Sequence, residues 1–419
     1  MKYFKLVLTC VAIIGVWSAF AGYVAFYGWW MNSVAEHGNH AEFYAWAVNE
    51  VETKNRGATA FMLIEDGRVV NWYFTSSVDE ETLFPTASFS KWITALSVMS
   101  LVEREQLDLD TPVSKYLSRW QLPDSQFDND GVTVRRLLSH TAGLTDGLGF
   151  GDYEGGEDLP SIEEALSNPR ASNGAKVEVA VKREPGSEFL YSGGGYLILQ
   201  LLVEEVSGDE FAEYVRKSVL DPVGMSRSSY AFLGELENAS RSFFVDGSPA
   251  PTYQYASAAA TGFASSAADL SKLVKALLGK DDVPLDAGTI VAMREPHGFV
   301  LGSGILGLGT ILYVQAPNGD FVFGHDGVND PAINTSVRIN PETSDGFILL
   351  VSGHPSLASN VGSEWVLWQT GYPDFLSTER ALKSAIVPIL IGSLAIVLIG
   401  VMWVRRRSDD RQLVAESSR

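Results

Sequence analysis

Cysteine is almost absent. Cys10 is the one cysteine in 419 residues, so no internal disulfide can form. It stands in an apolar run, where Leu6-Val7-Leu8-Thr9-Cys10 offers a lipid-attachment cysteine only with a poor preceding residue and little hydrophobic sequence before it. Histidine is scarce too: six in all, scattered, with no His-Glu-x-x-His pair. His37 and His40 are close together but border an apolar segment, and no metal site is expected. Positive charge is in deficit, with 31 Lys and Arg against 51 Asp and Glu and a net charge of −20. That excludes the basic face that nucleic-acid binding needs. No Gly-x-Ser-x-Gly elbow occurs. Gly302-Ser303-Gly304-Ile305-Leu306-Gly307 does match Gly-x-Gly-x-x-Gly, but residues 310–314 after it read as a strand, and a dinucleotide fingerprint must open a helix.

What is present begins with two apolar runs. Residues 6–30 carry no charge, and as a helix they would reach ~37 Å, beyond the ~30 Å hydrocarbon core. Lys2 and Lys5 precede the run, and Trp29 and Trp30 close it as aromatics do at a membrane interface. Ala19-Phe20-Ala21 offers a signal-peptide cleavage site. The apolar run continues well past it, which favours an uncleaved anchor over residues 1–31. Residues 385–404 are apolar throughout and Arg405-Arg406-Arg407 follow. The expectation is a second transmembrane helix with a cytoplasmic tail over 405–419, in preference to a buried core helix. Basic residues favour the cytoplasmic side, so both termini are expected there. The stretch between then lies outside, and it carries more than the whole net negative charge. An acidic exported domain without disulfides fits the bacterial inner membrane, facing the periplasm.

With 46% hydrophobic and 20% charged residues, the body of the chain is folded and not disordered. Residues 39–52 read as a helix. Residues 58–64 and 69–74 flank Glu65-Asp66-Gly67 as a hairpin with a glycine turn. Residues 107–113 lead by a turn into a short helix ending near Leu117. Residues 147–158, rich in Gly, Asp and Glu, read as a mobile surface loop and a candidate lid or wall. Residues 197–206, 267–278 and 286–293 read as helices. Strand signals at 310–314, 321–324, 332–339 and 347–351, separated by turns at 317–319 and 341–346, predict an antiparallel meander. Residues 365–371 would be a last helix covering it. The sum is an α+β domain over 40–372.

Its centre is Phe84-Pro85-Thr86-Ala87-Ser88-Phe89-Ser90-Lys91-Trp92. Residues 92–105 are good helix formers, so Ser88 sits at or just before the first helical turn, and Lys91 shares its face. Free backbone N–H groups and the positive end of the macrodipole favour negative charge developing there. An amine one turn away can relay the hydroxyl proton. This is the Ser-x-x-Lys pattern of acyl-serine enzymes; taken alone, it also fits an N-capping serine and a solvated lysine. Tyr191-Ser192-Gly193-Gly194-Gly195-Tyr196 opens a helix from a glycine-flanked loop, where backbone can approach a ligand. His325-Asp326-Gly327 lies at the end of a strand; His325 would bind a carboxylate if protonated or hydrogen-bond if neutral. His140, after a short helix, invites a Ser-His-Asp reading with Ser88, but without the elbow it reads as a structural group.

Taken in order, these stretches resemble the serine β-lactamase and penicillin-binding-protein superfamily, nearest its class C β-lactamase, D-aminopeptidase and esterase branch. The resemblance spans roughly residues 40–372 and rests on Thr86 to Lys91, Leu107 to Leu117, Arg136 to Leu144, Tyr191 to Gly208 and Gly324-His325-Asp326-Gly327. It implies an antiparallel sheet flanked by helices with an all-helical subdomain. It implies Ser88 as nucleophile, with Lys91 and Tyr191 sharing the proton work. His325 and Gly327 would border the substrate, and the backbone N–H groups of Ser88 and Val328 would form the oxyanion hole. His140 would be structural. No metal or organic cofactor is implied. The family usually has Tyr-x-Asn where this chain has Tyr191-Ser192-Gly193, so the substrate-positioning amide is missing. The expectation is a membrane-anchored hydrolase of a small ester, amide or D-amino-acid peptide. The alternatives are a β-lactamase or D-alanyl-D-alanine carboxypeptidase proper, or a non-catalytic receptor or envelope-interaction module on the same scaffold.

Overall fold

Apolar runs bounded by glycine turns build the strands of this protein, and longer apolar faces build the helices that cover them. A computed structural model of the protein describes residues 2–147, 152–170, 177–280, 284–316 and 318–417. The chain divides into two units: Gly38–Trp365, and Met1–His37 together with Val366–Arg419.

The larger unit is α+β. Strands β1 (Ala58–Glu65) and β2 (Arg68–Phe74) form the expected hairpin. Asp66 and Gly67 both take positive φ, 45° and 73°, the pattern of a tight hairpin turn. Four short strands, β3 (Phe84–Pro85), β4 (Asp152–Glu154), β5 (Tyr253–Tyr255) and β6 (Ala264–Ser265), make two small ladders, β3 with β6 and β4 with β5. Then come β7 (Gly298–Val300), β8 (Ser303–Leu306), β9 (Ile311–Gln315), β10 (Phe321–Asn329), β11 (Ile333–Asn340) and β12 (Asp345–Ser352). Among the described residues the main sheet has eight strands in the order β2-β1-β12-β11-β10-β9-β8-β7, all antiparallel.

Strands β11 and β12 are buried along their whole length. That is why residues 347–351 run apolar without alternating. On one face Met62, Phe323, Val337 and Leu350 share a core with Trp92, Ile93 and Leu96 of the helix Ser90–Glu103 and with Leu199 of the helix Gly193–Ser207. On the other face Phe61 meets Phe347 at 5.6 Å, and Phe347 meets Trp365 at 6.0 Å. Burying a ring of that size contributes about 1.5–3 kcal/mol.

Several expectations need correction. The 147–158 stretch is not wholly a loop: residues 152–154 form β4, held by β5, while 148–151 lie outside the described residues. Pro317, in an expected turn, lies outside them too. The helix expected at 197–206 begins at Gly193, because the Ser192 side chain accepts from Gly195 N and secures a first turn made of glycines. The last covering helix begins at Leu357. The segment after residue 112 makes only one 3₁₀ turn, Val113–Lys115. His325 is inside a strand, not at its end, because β10 runs on to Asn329.

In the second unit the helices Lys2–Phe26 and Ile386–Ser417 are long and apolar enough to cross a membrane. The first stops at Phe26, short of Trp30, and residues 27–30 form a turn with Gly28 at φ 79°. The pair is antiparallel: Trp17 Nε1 donates to Pro388 O at 3.1 Å, and Cys10 lies against Gly400. Lys5 and Arg405 therefore lie toward the same end of the pair.

One buried ion pair pins the sheet under β10. Arg338 on β11 is fully buried and meets Asp326 Oδ2 at 2.9 Å. Asp326 Oδ1 also accepts from Ser336 Oγ at 2.6 Å and from Tyr313 Oη at 2.8 Å. Removing one member leaves a buried charge uncompensated. Asp326→Ala is expected to destabilise the fold by about 3–5 kcal/mol, read as a lowered midpoint in thermal unfolding of the detergent-solubilised protein.

Candidate active site

The loop before Ser88 is held by its own hydroxyls. Thr86 donates from both N and Oγ1 to Phe263 O, at 3.0 and 2.7 Å. Ser90 Oγ donates to Ala87 O at 2.7 Å and accepts from Phe263 N at 3.0 Å. These bonds hold Ala87 at φ 50°, a conformation that costs a residue with a Cβ about 1–2 kcal/mol. Ser88 then falls within a one-turn 3₁₀ helix, Ala87–Phe89, which runs directly into Ser90–Glu103. Ser88 is half-buried at the head of that helix.

Lys91 is 2% exposed. Its Nζ donates to Ser88 Oγ at 3.2 Å and to Ala260 O at 2.9 Å. The same nitrogen lies 5.0 Å from the ring centroid of Tyr191 and 5.6 Å from that of Tyr196. The His140 ring packs against Tyr191 at 4.3 Å. Its Nδ1 accepts from Ser192 N at 3.1 Å, which places the proton on Nε2. Burial, then the Lys91 charge, holds His140 well below its usual range, so it is neutral. Asp146, also buried, accepts from Ser192 Oγ at 2.6 Å and Gly194 N at 2.7 Å. Its carboxyl is pushed up by burial, and those two bonds oppose the shift.

Strand β10 closes the other side. It pairs with β9 only through Gly324, so from His325 onward that edge has no strand partner among the described residues. It lies instead against the Ser88 turn. A Cβ on Gly327 would sit 2.0 Å from Thr86 O and 3.1 Å from Phe89 N, so only glycine permits this approach. His325 is buried, and its Nδ1 lies 2.6 Å from Asp326 O. Burial pushes its imidazole down to about 4, against the pull of that carbonyl, and the nearby Lys91 charge adds to the effect. His325 is therefore neutral at pH 7, with Nδ1–H donating and Nε2 free to accept. Of its two expected roles, carboxylate binding by a protonated ring is removed by burial. On the β3 side of the turn, an open hollow is lined by Pro85, Tyr230, Phe232, Tyr255, Ala258 and Phe263, among others. It shares the Ala258–Thr261 helix with the Lys91 site.

This arrangement has relatives. Residues 43–371 match the family described as Beta-lactamase. The chain belongs to the beta-lactamase family. Penicillin-binding protein 4* of Bacillus subtilis (strain 168) is 29% identical over 147 residues, which is 35% of this chain and 30% of that protein. The chain thus spans about a third of the length of the curated relatives it matches. The octameric penicillin-binding protein homologue from Pyrococcus abyssi is 25% identical, covers 80% of this chain and 78% of its own, and has a TM-score of 0.63. The D-amino acid amidase from Ochrobactrum anthropi SV3, at 19% identity, covers 82% and 98% with a TM-score of 0.60, and so shares the fold.

Within this beta-lactamase-family domain Ser88, Lys91 and Tyr191 come together from two helix starts, and His325 and Gly327 join them from β10. Gly193 contributes backbone alone: its N–H donates to Gly147 O at 2.8 Å in the first turn of its helix. Val328 is exposed at the outer end of β10. Sequence reasoning missed Ser90, Tyr196, Asp146 and Ala260. The Ser192-x-x-Gly195 cap spacing was a usable signal for the Tyr191 loop. Nothing local marks Asp146 or a backbone carbonyl.

His325 supplies a pH prediction. Its folded value, about 4, lies below the ordinary 6.5, so the unfolded chain takes up a proton that the folded protein refuses. Its stabilising contribution is complete above about pH 6.5 and is lost as pH falls toward about 4. His325→Gln is expected to flatten the stability profile in that window, measured by urea unfolding at a series of pH values.

Proposed function

We propose that the protein is a membrane-anchored serine hydrolase that forms an acyl-enzyme on Ser88 and acts outside the cytoplasm. The observation that carries this reading is the 3.2 Å contact of Lys91 Nζ with Ser88 Oγ, buried beneath the Tyr191 ring. A serine hydroxyl becomes a useful nucleophile only when its proton has a place to go.

Ser88 Oγ adds to the substrate carbonyl carbon as its proton passes to Lys91 Nζ and Lys91 hands one of its own protons on to Tyr191, so the ammonium ends as it began. The carbonyl oxygen becomes an oxyanion held by the N–H groups of Ser88 and Val328, a hole worth ~2.7–4 kcal/mol per donor. Tyr191, in contact with Lys91, passes a proton to the leaving alkoxide or amine. Water then adds to the acyl ester and gives a proton to Tyr191; collapse breaks the Ser88 ester bond, Lys91 returns a proton to Ser88 Oγ, and the acid is released. Neutral His325 borders the substrate and offers Nε2 as an acceptor. The steps use only side chains, backbone and water.

The substrate is a small ester, amide or D-amino-acid peptide. Gly193 has no side-chain amide to grip a peptide, which favours an ester or an amide bound in another orientation. Similarity to proteins named for binding penicillin supports a serine open to acylation. The basic ends of the two long helices lie at one end of the pair, which supports cytoplasmic termini, an inner-membrane anchor and a periplasmic domain.

Incubation with a fluorophosphonate or an activated ester is expected to add one mass increment on Ser88, absent in Ser88→Ala. Lys91→Met is expected to slow labelling by ~10²–10⁴-fold. A chain that binds ligand but never acquires the adduct would be a receptor and not an enzyme. In intact spheroplasts, added protease is expected to digest the Ser88 domain and spare both termini, followed with antibodies to terminal tags.

A further inference from the structure

Resting on the acyl-serine reading, we infer that Asn334 is the positioning residue of the oxyanion hole: it sets the plane of the Gly327–Val328 peptide and so aims the Val328 N–H. Asn334 is fully buried on β11, in register opposite Val328. Its Nδ2 donates to Gly327 O at 3.0 Å and to Ser359 Oγ at 3.0 Å, and its Oδ1 accepts from Ser359 N at 3.0 Å. Both amide hydrogens and the amide oxygen are thereby used. The orientation follows from that set, because a flipped amide would turn its oxygen toward the Gly327 carbonyl and its NH₂ toward the Ser359 N–H.

The consequence is geometric. In a trans peptide the carbonyl of one residue and the N–H of the next point in opposite directions. A Gly327 carbonyl held toward Asn334 therefore turns the Val328 N–H to the free edge of β10, the edge that packs on the Ser88 turn. No β9 partner reaches this far to hold the peptide from the other side. Gly327 is also the residue with the least intrinsic preference for one backbone conformation. Strand β11 pairs with this stretch, Gly327 opposite Thr335, and the Asn334 amide adds a side-chain donor to the Gly327 carbonyl from the same side. Ser359, in the helix Leu357–Thr370, holds the amide from behind.

The test uses the detergent-solubilised full chain and an activated ester, with rates divided by the sites titrated with fluorophosphonate. Asn334→Asp keeps the volume and the acceptor for Ser359 N but sets an oxygen against the Gly327 carbonyl. Asn334→Ala removes the donor outright. Both are expected to lower kcat per titrated site by roughly 10- to 100-fold, less than the ~10²–10³-fold for losing an oxyanion donor altogether, with KM changed less than about threefold. Affinity for an arylboronic acid, whose tetrahedral adduct on Ser88 places an oxygen in the hole, is expected to weaken by the same factor. Ser359→Ala leaves the Gly327 contact in place and is expected to lose no more than about threefold. Full kcat per site in both Asn334 variants overturns the inference while leaving the acyl-serine reading intact. An equal loss in Ser359→Ala also overturns it, since the role would then be helix packing. A wild-type chain that neither turns over ester nor titrates overturns both readings together.

Discussion

A lysine nitrogen buried without a carboxylate partner is the constraint around which this site is built. Taking such a group out of water is costly unless every donor finds an acceptor. Among the described residues no carboxylate forms an ion pair with Lys91; Ser88 Oγ, Ala260 O and the faces of Tyr191 and Tyr196 receive it instead. The partners come from three parts of the chain. The helix Ala258–Thr261, the Tyr191 loop and the Ser88 turn must therefore close on one point before the nitrogen is satisfied. That requirement couples folding of the helical layer to assembly of the site.

The sheet contributes from the other side. His325 and Asp326 are adjacent on β10 and face opposite ways, as successive strand residues must. His325 faces the site, neutral and held by a backbone carbonyl. Asp326 faces Arg338, Ser336 and Tyr313. The polar cluster on the back of the sheet thus fixes the strand whose front edge borders Ser88. Gly327 then lets the strand come within contact of Thr86 O, where any side chain would hold it off. The sheet and the Ser88 turn meet at that glycine.

Membership of the beta-lactamase family covers residues 43–371, yet the chain departs from the family pattern at Gly193. In this structure the position falls in a first helical turn whose N–H groups are taken by Gly147 O, Asp146 and Ser192. The turn is therefore held by backbone and carboxylate contacts and needs no side chain of its own. The Ser88–Lys91 contact does not involve this position.

Residue order alone was enough for the local structure. The Glu65-Asp66-Gly67 hairpin, the helix after Ser88, the meander through β9–β12 and the two apolar end helices each announce themselves through periodicity and turn residues, because short-range sterics and hydrophobic alternation act between neighbours in the chain. The placement of Ser88, Lys91 and Tyr191 was legible through a family resemblance carried by short motifs. Other features depend on contacts between residues far apart in sequence: Asn334 on Gly327 O, Asp146 under the Tyr191 loop, the Ala260 carbonyl on Lys91, and the neutral state of His325. No local pattern encodes them, because burial and hydrogen-bond partnership exist only once the sheet and the helices have packed. The chain by itself determined which groups are present and which elements carry them; packing decided which of them meet, and in what state of protonation.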